Sequence, residues 1–304
     1  MNVKKQKEET GSVQPTRPSV VRFPAPLPAE SSFIPVQTES DLEDVLSQGQ
    51  PVCLGAGRNG QILLKRRKTD GMLVAVKRLL NVQDQAQEYQ KMVAEIRCMM
   101  AVQHRPEFPK VFGIIDQTTF AVEFIGDLVS MTSTDLYTFL TNPPASPSTS
   151  DWIQICLDIS RGLLALHNAG WTHNDLHHQN VMIWRDPDRS NNWAAKIIDM
   201  GCVTRTDLPP PTFMFDSAKK AWCYQNCPQL PPEVIEGVCQ QGVKADTYSL
   251  GSLFHTIADK VGGLDPIHDI GDKCKARMPH DRPTLDSVIQ DLASLRARGG
   301  RGTP

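Results

Sequence analysis

Short apolar runs and turn residues alternate along this chain from about residue 50. Pro51-Val52-Cys53-Leu54 opens a strand, with proline at an edge where a missing N–H is tolerated. Val52 to Val76 reads as strand, glycine turn, strand, Thr69-Asp70-Gly71 turn and strand. The third of these, Met72-Leu73-Val74-Ala75-Val76, is wholly apolar and runs into Lys77. Met92, Ile96, Met99 and Met100 then recur at helical spacing and predict a helix from about Asp84 to Gln103. Val111–Ile115 and Thr119–Phe124 read as two more strands, so five strands around one helix make a small lobe. After residue 134 the pattern turns helical. Asp135–Leu140 is a short helix, and Trp152, Ile155, Ile159, Leu163 and Leu166 fall near one face of a long one, capped by Ser150 or Asp151. Val181–Ile183 and Ala194–Ile198 are short strands around a polar hairpin. Helices return around Ala245–Ile257 and Thr284–Leu295, and no internal repeat is evident.

The first 49 residues are rich in Pro, Ser, Gln and Thr and read as a flexible arm, with a short helix or bent lead-in over Asp41–Ser47. Residues 297–304 read as a frayed basic tail. With 40% apolar residues and a net charge of −2, the 304-residue chain fits a globular domain of two lobes and offers no electrostatic case for bulk nucleic-acid binding. Lys65-Arg66-Arg67-Lys68 is a short basic run read as a solvated hairpin end. No apolar run reaches the length of about 18 residues that a membrane helix needs. The N-terminus lacks an apolar segment after its charges, and Asn2 excludes a myristoylation pattern. The expected compartment is the cytosol or nucleus. Of the eight cysteines, Cys223 and Cys227, with Cys239 beyond, could be half a zinc site, but the second closely spaced pair is missing; reduced thiols are expected.

Polar side chains set among buried runs carry the chemistry. His173-Asn174-Asp175-Leu176, then Asn180, then Asp199-Met200-Gly201 place two carboxylates and an amide where an unpartnered polar group is costly. A substrate hydroxyl and one or two magnesium ions suit them: Asp175 to take or orient a hydroxyl proton, Asn180 and Asp199 to offer hard oxygens. A zinc reading of His173, His177 and His178 fits poorly, since the spacing is wrong for a tetrahedral site. Gly55, Gly57 and Gly60 form a G-x-G-x-x-G-x-I hairpin rather than a strand-to-helix turn, which separates them from the dinucleotide fingerprint. Lys77 needs a counter-charge. Glu95 is the leading partner and Glu88 the alternative; they stand roughly 10 Å apart along one helix, so one ammonium meets one of them.

These motifs, with Val74-Ala75-Val76-Lys77, Pro231-Pro232-Glu233, Asp246-Thr247-Tyr248-Ser249-Leu250-Gly251 and Arg282-Pro283, occur in an order that resembles the eukaryotic protein-kinase superfamily over about residues 50–296. The resemblance implies an α+β, bilobal fold, with an N-lobe over about 50–125, a C-lobe over about 126–296 and ATP between them. It makes Lys77 the phosphate-holding lysine with Glu95 its partner, Asp175 the catalytic acid/base, and Asn180 and Asp199 the Mg2+ ligands. Glu123-Phe124-Ile125 would be the hinge whose backbone binds adenine, Val122 a small gatekeeper, and Ile62, Ala75 and Met182 the sandwich around the ring. Glu233 and Arg282 would form a buried ion pair, and Asp246 would brace the catalytic loop.

Four departures qualify that picture. Asn174 stands where many kinases carry an arginine that pairs with a phosphate on the activation segment, so this coupling is absent. His177 replaces a lysine and brings no permanent charge. Asn226-Cys227-Pro228-Gln229-Leu230 lacks the threonine expected before Pro231; serine or threonine is still the favoured acceptor. Asp246 to Arg282 is a step of only 36 residues, so one C-lobe helix is expected to be missing or reduced. The leading expectation is an ATP- and magnesium-dependent protein kinase with a protein substrate. A pseudokinase acting as a binding module and a small-molecule kinase are the alternatives.

Overall fold

In the computed structural model, the residues described are 38–57, 60–80, 85–143, 147–189, 192–208, 214–238 and 242–299. The arm over 1–37 lies outside them, as do Arg58, Asn59, Asp84, Thr212, Cys239 and the tail from Gly300.

The chain joins the fold earlier than residue 50. In place of a short helix or bent lead-in, a 3-10 turn at Glu39–Asp41 leads into β1 (Leu42–Asp44), followed by a ribbon of β2 (Leu46–Ser47) and β3 (Gln50–Pro51). Then come β4 (Cys53–Gly57), β5 (Gly60–Arg67), β6 (Leu73–Leu79), α1 (Gln85–Val102), β7 (Val111–Asp116) and β8 (Thr119–Glu123). The antiparallel sheet runs β1-β5-β6-β8-β7 with β4 also on β5, six strands rather than five. Burial and charge together recruit β1. Leu42 packs with Val74, Val76 and Ala121, while Glu39 and Asp44 close on Lys65 Nζ at 3.0 and 3.1 Å. The basic run is therefore a solvated hairpin end only in part, with Lys68 exposed and Arg66 partly so. Lys65 is buried and paired, Arg67 is held by Asp70, and Lys68 donates to Ser40 O at 2.7 Å.

Alternation along β6 sends Val74 and Val76 to that face and Ala75 and Lys77 to the other. The register sets Ile62 and Phe120 opposite Lys77, and Leu64 and Val122 opposite Ala75, so these side chains share one surface. α1 contributes Met92, Ile96 and Met99 to the core cluster that also contains Phe120 and Val111.

The helical part follows as β9 (Thr134–Asp135), α2 (Leu136–Thr141), α3 (Thr149–Asn168), β10 (Trp171–Thr172), β11 (Val181–Asp186), β12 (Asn192–Ile197), β13 (Thr204–Arg205), α4 (Ser217–Asn226), α5 (Pro232–Ile235), α6 (Val243–Val261), α7 (Asp265–Cys274) and α8 (Leu285–Gly299). Ser148, not Ser150 or Asp151, caps α3; Asp151 returns a bond to the Ser148 backbone and completes a capping box. Ile155, Ile159, Leu163 and Leu166 are fully buried along α3. α8 carries helix through Gly299, into the span expected to fray. The shortened link is explicit: α6 reaches α7 through Gly262, Gly263 and Leu264 alone. Both glycines adopt left-handed angles (φ 74° and 68°) that reverse the chain at little steric cost.

Candidate active site

Lys77, brought to the end of β6 by an apolar strand, meets two carboxylates. Its Nζ lies 2.7 Å from Glu95 Oε1 on α1 and 2.9 Å from Asp199 Oδ1, which stands 122 residues further along the chain. Glu88 is occupied elsewhere, accepting from Lys91 at 2.6 Å. Burial acts against the Lys77 ammonium, but Glu95 and then Asp199 outweigh it and hold the group protonated well above its ordinary range. Burial pushes the Glu95 carboxyl upward, against the pull of Lys77. At Asp199 burial pushes the same way, but Lys77 prevails and keeps the carboxyl below its usual value, hence ionised.

The loop from His173 to Asn180 is fixed from beneath. Asp246, fully buried on α6, accepts from His173 N, Asn174 N and His167 Nε2, each at 2.8 Å. His173 Nδ1 accepts from Asp175 N at 3.3 Å, which assigns the hydrogen to Nε2 and directs it at Ile198 O, 3.2 Å away. Burial lowers the His173 pKa and keeps the ring neutral. Asn180 Nδ2 donates to Asp175 O and the Asn180 carbonyl accepts from Ile198 N, both at 2.9 Å. His173 and Asn180 therefore tie the loop carrying Asp175 to the loop carrying Asp199. The Asp175 carboxylate is partly open to solvent, and His177 Nε2 stands 3.7 Å from its Oδ2, beyond hydrogen-bond reach.

Asn174 does something its sequence position did not announce. Its amide donates to Cys202 O at 2.9 Å and Thr204 Oγ1 at 3.0 Å, while Thr204 Oγ1 also bonds Thr172 Oγ1 at 2.8 Å. Neutral hydrogen bonds thus fasten the start of the segment after Asp199. Asn174 holds a left-handed backbone (φ 65°), which asparagine tolerates better than most residues.

The three glycines divide. Among the described residues a Cβ on Gly55 or Gly57 would meet nothing within 4 Å, which leaves these positions open to an approaching ligand. A Cβ on Gly60 would stand 2.3 Å from Arg78 O, so Gly60 serves the sheet itself. Glu123 also differs from a simple hinge role. Its carboxylate takes the buried Lys196 ammonium at 2.8 and 2.9 Å and accepts from Lys110 N at 3.1 Å, and its own N–H donates to Lys110 O. No described backbone group accepts from Ile125 N–H. Ile62 and Ala75 share the Lys77 face of the sheet, and Met182 is buried on β11, opposite Lys196.

Glu233 and Arg282 form the expected pair, at 2.6 and 2.8 Å. Among the described residues, neither His173, His177 and His178 nor Cys223 and Cys227 belong to a converging group of three metal ligands. Glu123–Lys196 and His167–Asp246 were not foreseen, because a lone lysine in β12 and a lone histidine at the end of α3 carry no spacing signal.

In a two-lobed fold, one lysine thus stands between two acids, and the loops bearing Asp175 and Asp199 are braced against each other. The protein kinase domain model matches residues 50–275, and the chain belongs to that family. It is 24% identical over 222 residues to extracellular signal-regulated kinase 1 of Dictyostelium discoideum, covering 72% of this chain and 39% of that protein. It is 25% identical over 236 residues to serine/threonine-protein kinase NLK2 of Xenopus tropicalis, covering 77% and 48%. Serine/threonine-protein kinase pkn2 of Myxococcus xanthus is 26% identical over 249 residues, covering 79% and 26%. The matched part is thus less than half of each relative's length. Among the described residues no helix is long and apolar enough to cross a membrane.

Proposed function

We propose that this chain is an active serine/threonine kinase that transfers the γ-phosphoryl group of ATP to a protein hydroxyl with the help of magnesium. The observation that carries the reading is Lys77 Nζ held at 2.7 Å from Glu95 and 2.9 Å from Asp199, with the Asp175 and Asp199 loops joined through Asn180. In this reading the Lys77 ammonium holds the first two phosphates, and the open backbone at Gly55 and Gly57 lets them approach closely. The donor set suits a hard cation: among the described residues nothing donates to Asn180 Oδ1 or to Asp199 Oδ2. Magnesium bound there would neutralise charge on the phosphates. Asp175, paired with no lysine or arginine among the described residues, orients the acceptor hydroxyl and takes its proton as the new O–P bond forms and the bond to the leaving ADP oxygen breaks. The names of the matched relatives support serine or threonine as acceptor.

Full-length protein, γ-labelled ATP and a mixed protein substrate test this, with magnesium or EDTA and phosphoamino-acid analysis. The expected product is magnesium-dependent phosphoserine or phosphothreonine. A histidine at position 177, where a lysine would bring a permanent charge, favours the rival reading, a nucleotide-binding module; ATP binding without label on any protein would establish it. Label confined to small metabolites would identify a small-molecule kinase.

The Asn174 tether yields a separate prediction. Because neutral bonds hold the segment at Cys202 and Thr204, phosphatase-treated enzyme should keep its activity. Asn174→Ala should lower activity whether or not phosphatase is added. Collapse of the wild-type enzyme on phosphatase treatment would contradict both statements.

A further inference from the structure

α6 and α7 cross where both lack a side chain. A Cβ on Gly251 would stand 2.7 Å from Gly271 O, and a Cβ on Gly271 would stand 3.1 Å from Gly251 O and 2.6 Å from His255 Cδ2. This close approach carries His255, one turn after Gly251, over α7, where His268 and Asp272 stand one turn apart on one face. His255 Nε2 lies 3.1 Å from Asp272 Oδ1, and His268 Nδ1 lies 3.6 Å from Asp272 Oδ2. One ligand atom from each of the three lies within 4.8 Å of the others. His255 Nε2 is buried yet makes no properly directed hydrogen bond. A second carboxylate, Asp259 Oδ1, is 3.7 Å from His268 Nε2.

We propose that His255, His268 and Asp272 form a zinc site that clamps α6 to α7. Two imidazoles and a carboxylate suit zinc far better than magnesium or calcium, which favour oxygen. Tetrahedral bonds of about 2.0–2.2 Å set ligand atoms roughly 3.3–3.6 Å apart; His255 Nε2 is 3.1 Å from one Asp272 oxygen and His268 Nδ1 is 3.6 Å from the other, so small shifts bring the three groups to that spacing. Water completes the shell, and Asp259, which faces the other ring nitrogen of His268, is placed to accept its hydrogen. One adjustment is required. The two rings are stacked, with centroids 4.2 Å apart and planes 7° from parallel, and a nitrogen lone pair lies in its ring plane. His268, half exposed, turns out of the stack to aim at the ion that His255 faces. The clamp would brace the far half of the helix whose first turns carry Asp246, across a link of only Gly262, Gly263 and Leu264. It holds whether or not the chain transfers phosphate.

The test uses full-length protein stripped with EDTA, then given zinc or magnesium chloride, with bound metal measured by dialysis and stability by thermal melting. The expected result is one equivalent of zinc and a raised Tm with zinc alone. His268→Asn, at the more exposed position, and His255→Asn should melt like the wild type in EDTA and lose both effects. Cobalt(II) should give a tetrahedral visible spectrum without a thiolate charge-transfer band. Zinc uptake that persists in the His255→Asn/His268→Asn double variant, or that disappears instead in Cys223→Ser/Cys227→Ser, overturns the proposal, as does absence of uptake by the wild type.

Discussion

Asp175→Asn should lower the rate of the proposed phosphoryl transfer by about 10²–10⁴-fold, the range for loss of a positioned general base, while ATP affinity should stay close to that of the wild type. The division follows from the contacts. What fixes residue 175 is main-chain: its N–H donates to His173 Nδ1 and its carbonyl accepts from Asn180 Nδ2. The isosteric amide keeps both bonds and the loop. The side chain has no contact with Lys77, whose partners are Glu95 and Asp199, so the phosphate end of the cleft is untouched. What disappears is the anionic acceptor for the hydroxyl proton. Single-turnover transfer and calorimetric titration with ATP separate the two effects. Undiminished transfer would remove Asp175 from the chemistry, and lost ATP binding would contradict its separation from the phosphate end.

The second large effect is on stability. Arg282→Met should destabilise the protein by about 3–5 kcal/mol, the usual cost of breaking a buried ion pair from one side. The Arg282 side chain is 0% exposed. It gives two bonds to Glu233, one each to the carbonyls of Ala276 and Lys244, and stacks over Tyr248 with its guanidinium carbon 4.9 Å from the ring centre. Methionine fills part of the volume but strands the Glu233 carboxylate and removes the side-chain donor that those carbonyls share. Against a total stability of about 5–15 kcal/mol, that is a large fraction. Urea unfolding measures it, and the double variant Glu233→Met/Arg282→Met should recover part of the loss, because no buried charge is then stranded. A single variant as stable as the wild type would mean that the pair contributes little.

The grouping of the candidate site's side chains was legible from sequence because they violate their surroundings. A lysine closing an apolar strand demands a counter-charge, and Glu95, one turn before Met99 in the apolar stripe, was preferred to Glu88, as observed. Asp175, Asn180 and Asp199 stood out in the same way. Other features depend on partners distant in the chain. β1 offers one buried leucine among acidic residues, too short for a period, and its pairing requires Lys65. α4 buries only Cys223 among its described residues; it is held by the Asp216 cap and by Lys220 and Tyr224 on Glu236, none of which makes an apolar stripe. Gly60 read as part of a phosphate loop, yet its missing Cβ is demanded by Arg78 O across the hairpin. One residue type met two needs, and only the packing separates them.

Convergence of Lys77 and Asp199 on the phosphate tail of one nucleotide is tested most directly by titrating ATP and adenosine into the wild type, Lys77→Met and Asp199→Asn. Glu95, whose carboxyl burial already pushes upward, can take a proton when the ammonium is removed, so Lys77→Met should stay folded. The expected result is a marked loss of ATP affinity in both variants, with magnesium present, and unchanged adenosine affinity. ATP binding equal in all three proteins, or ATP and adenosine lost together from a folded variant, would contradict it.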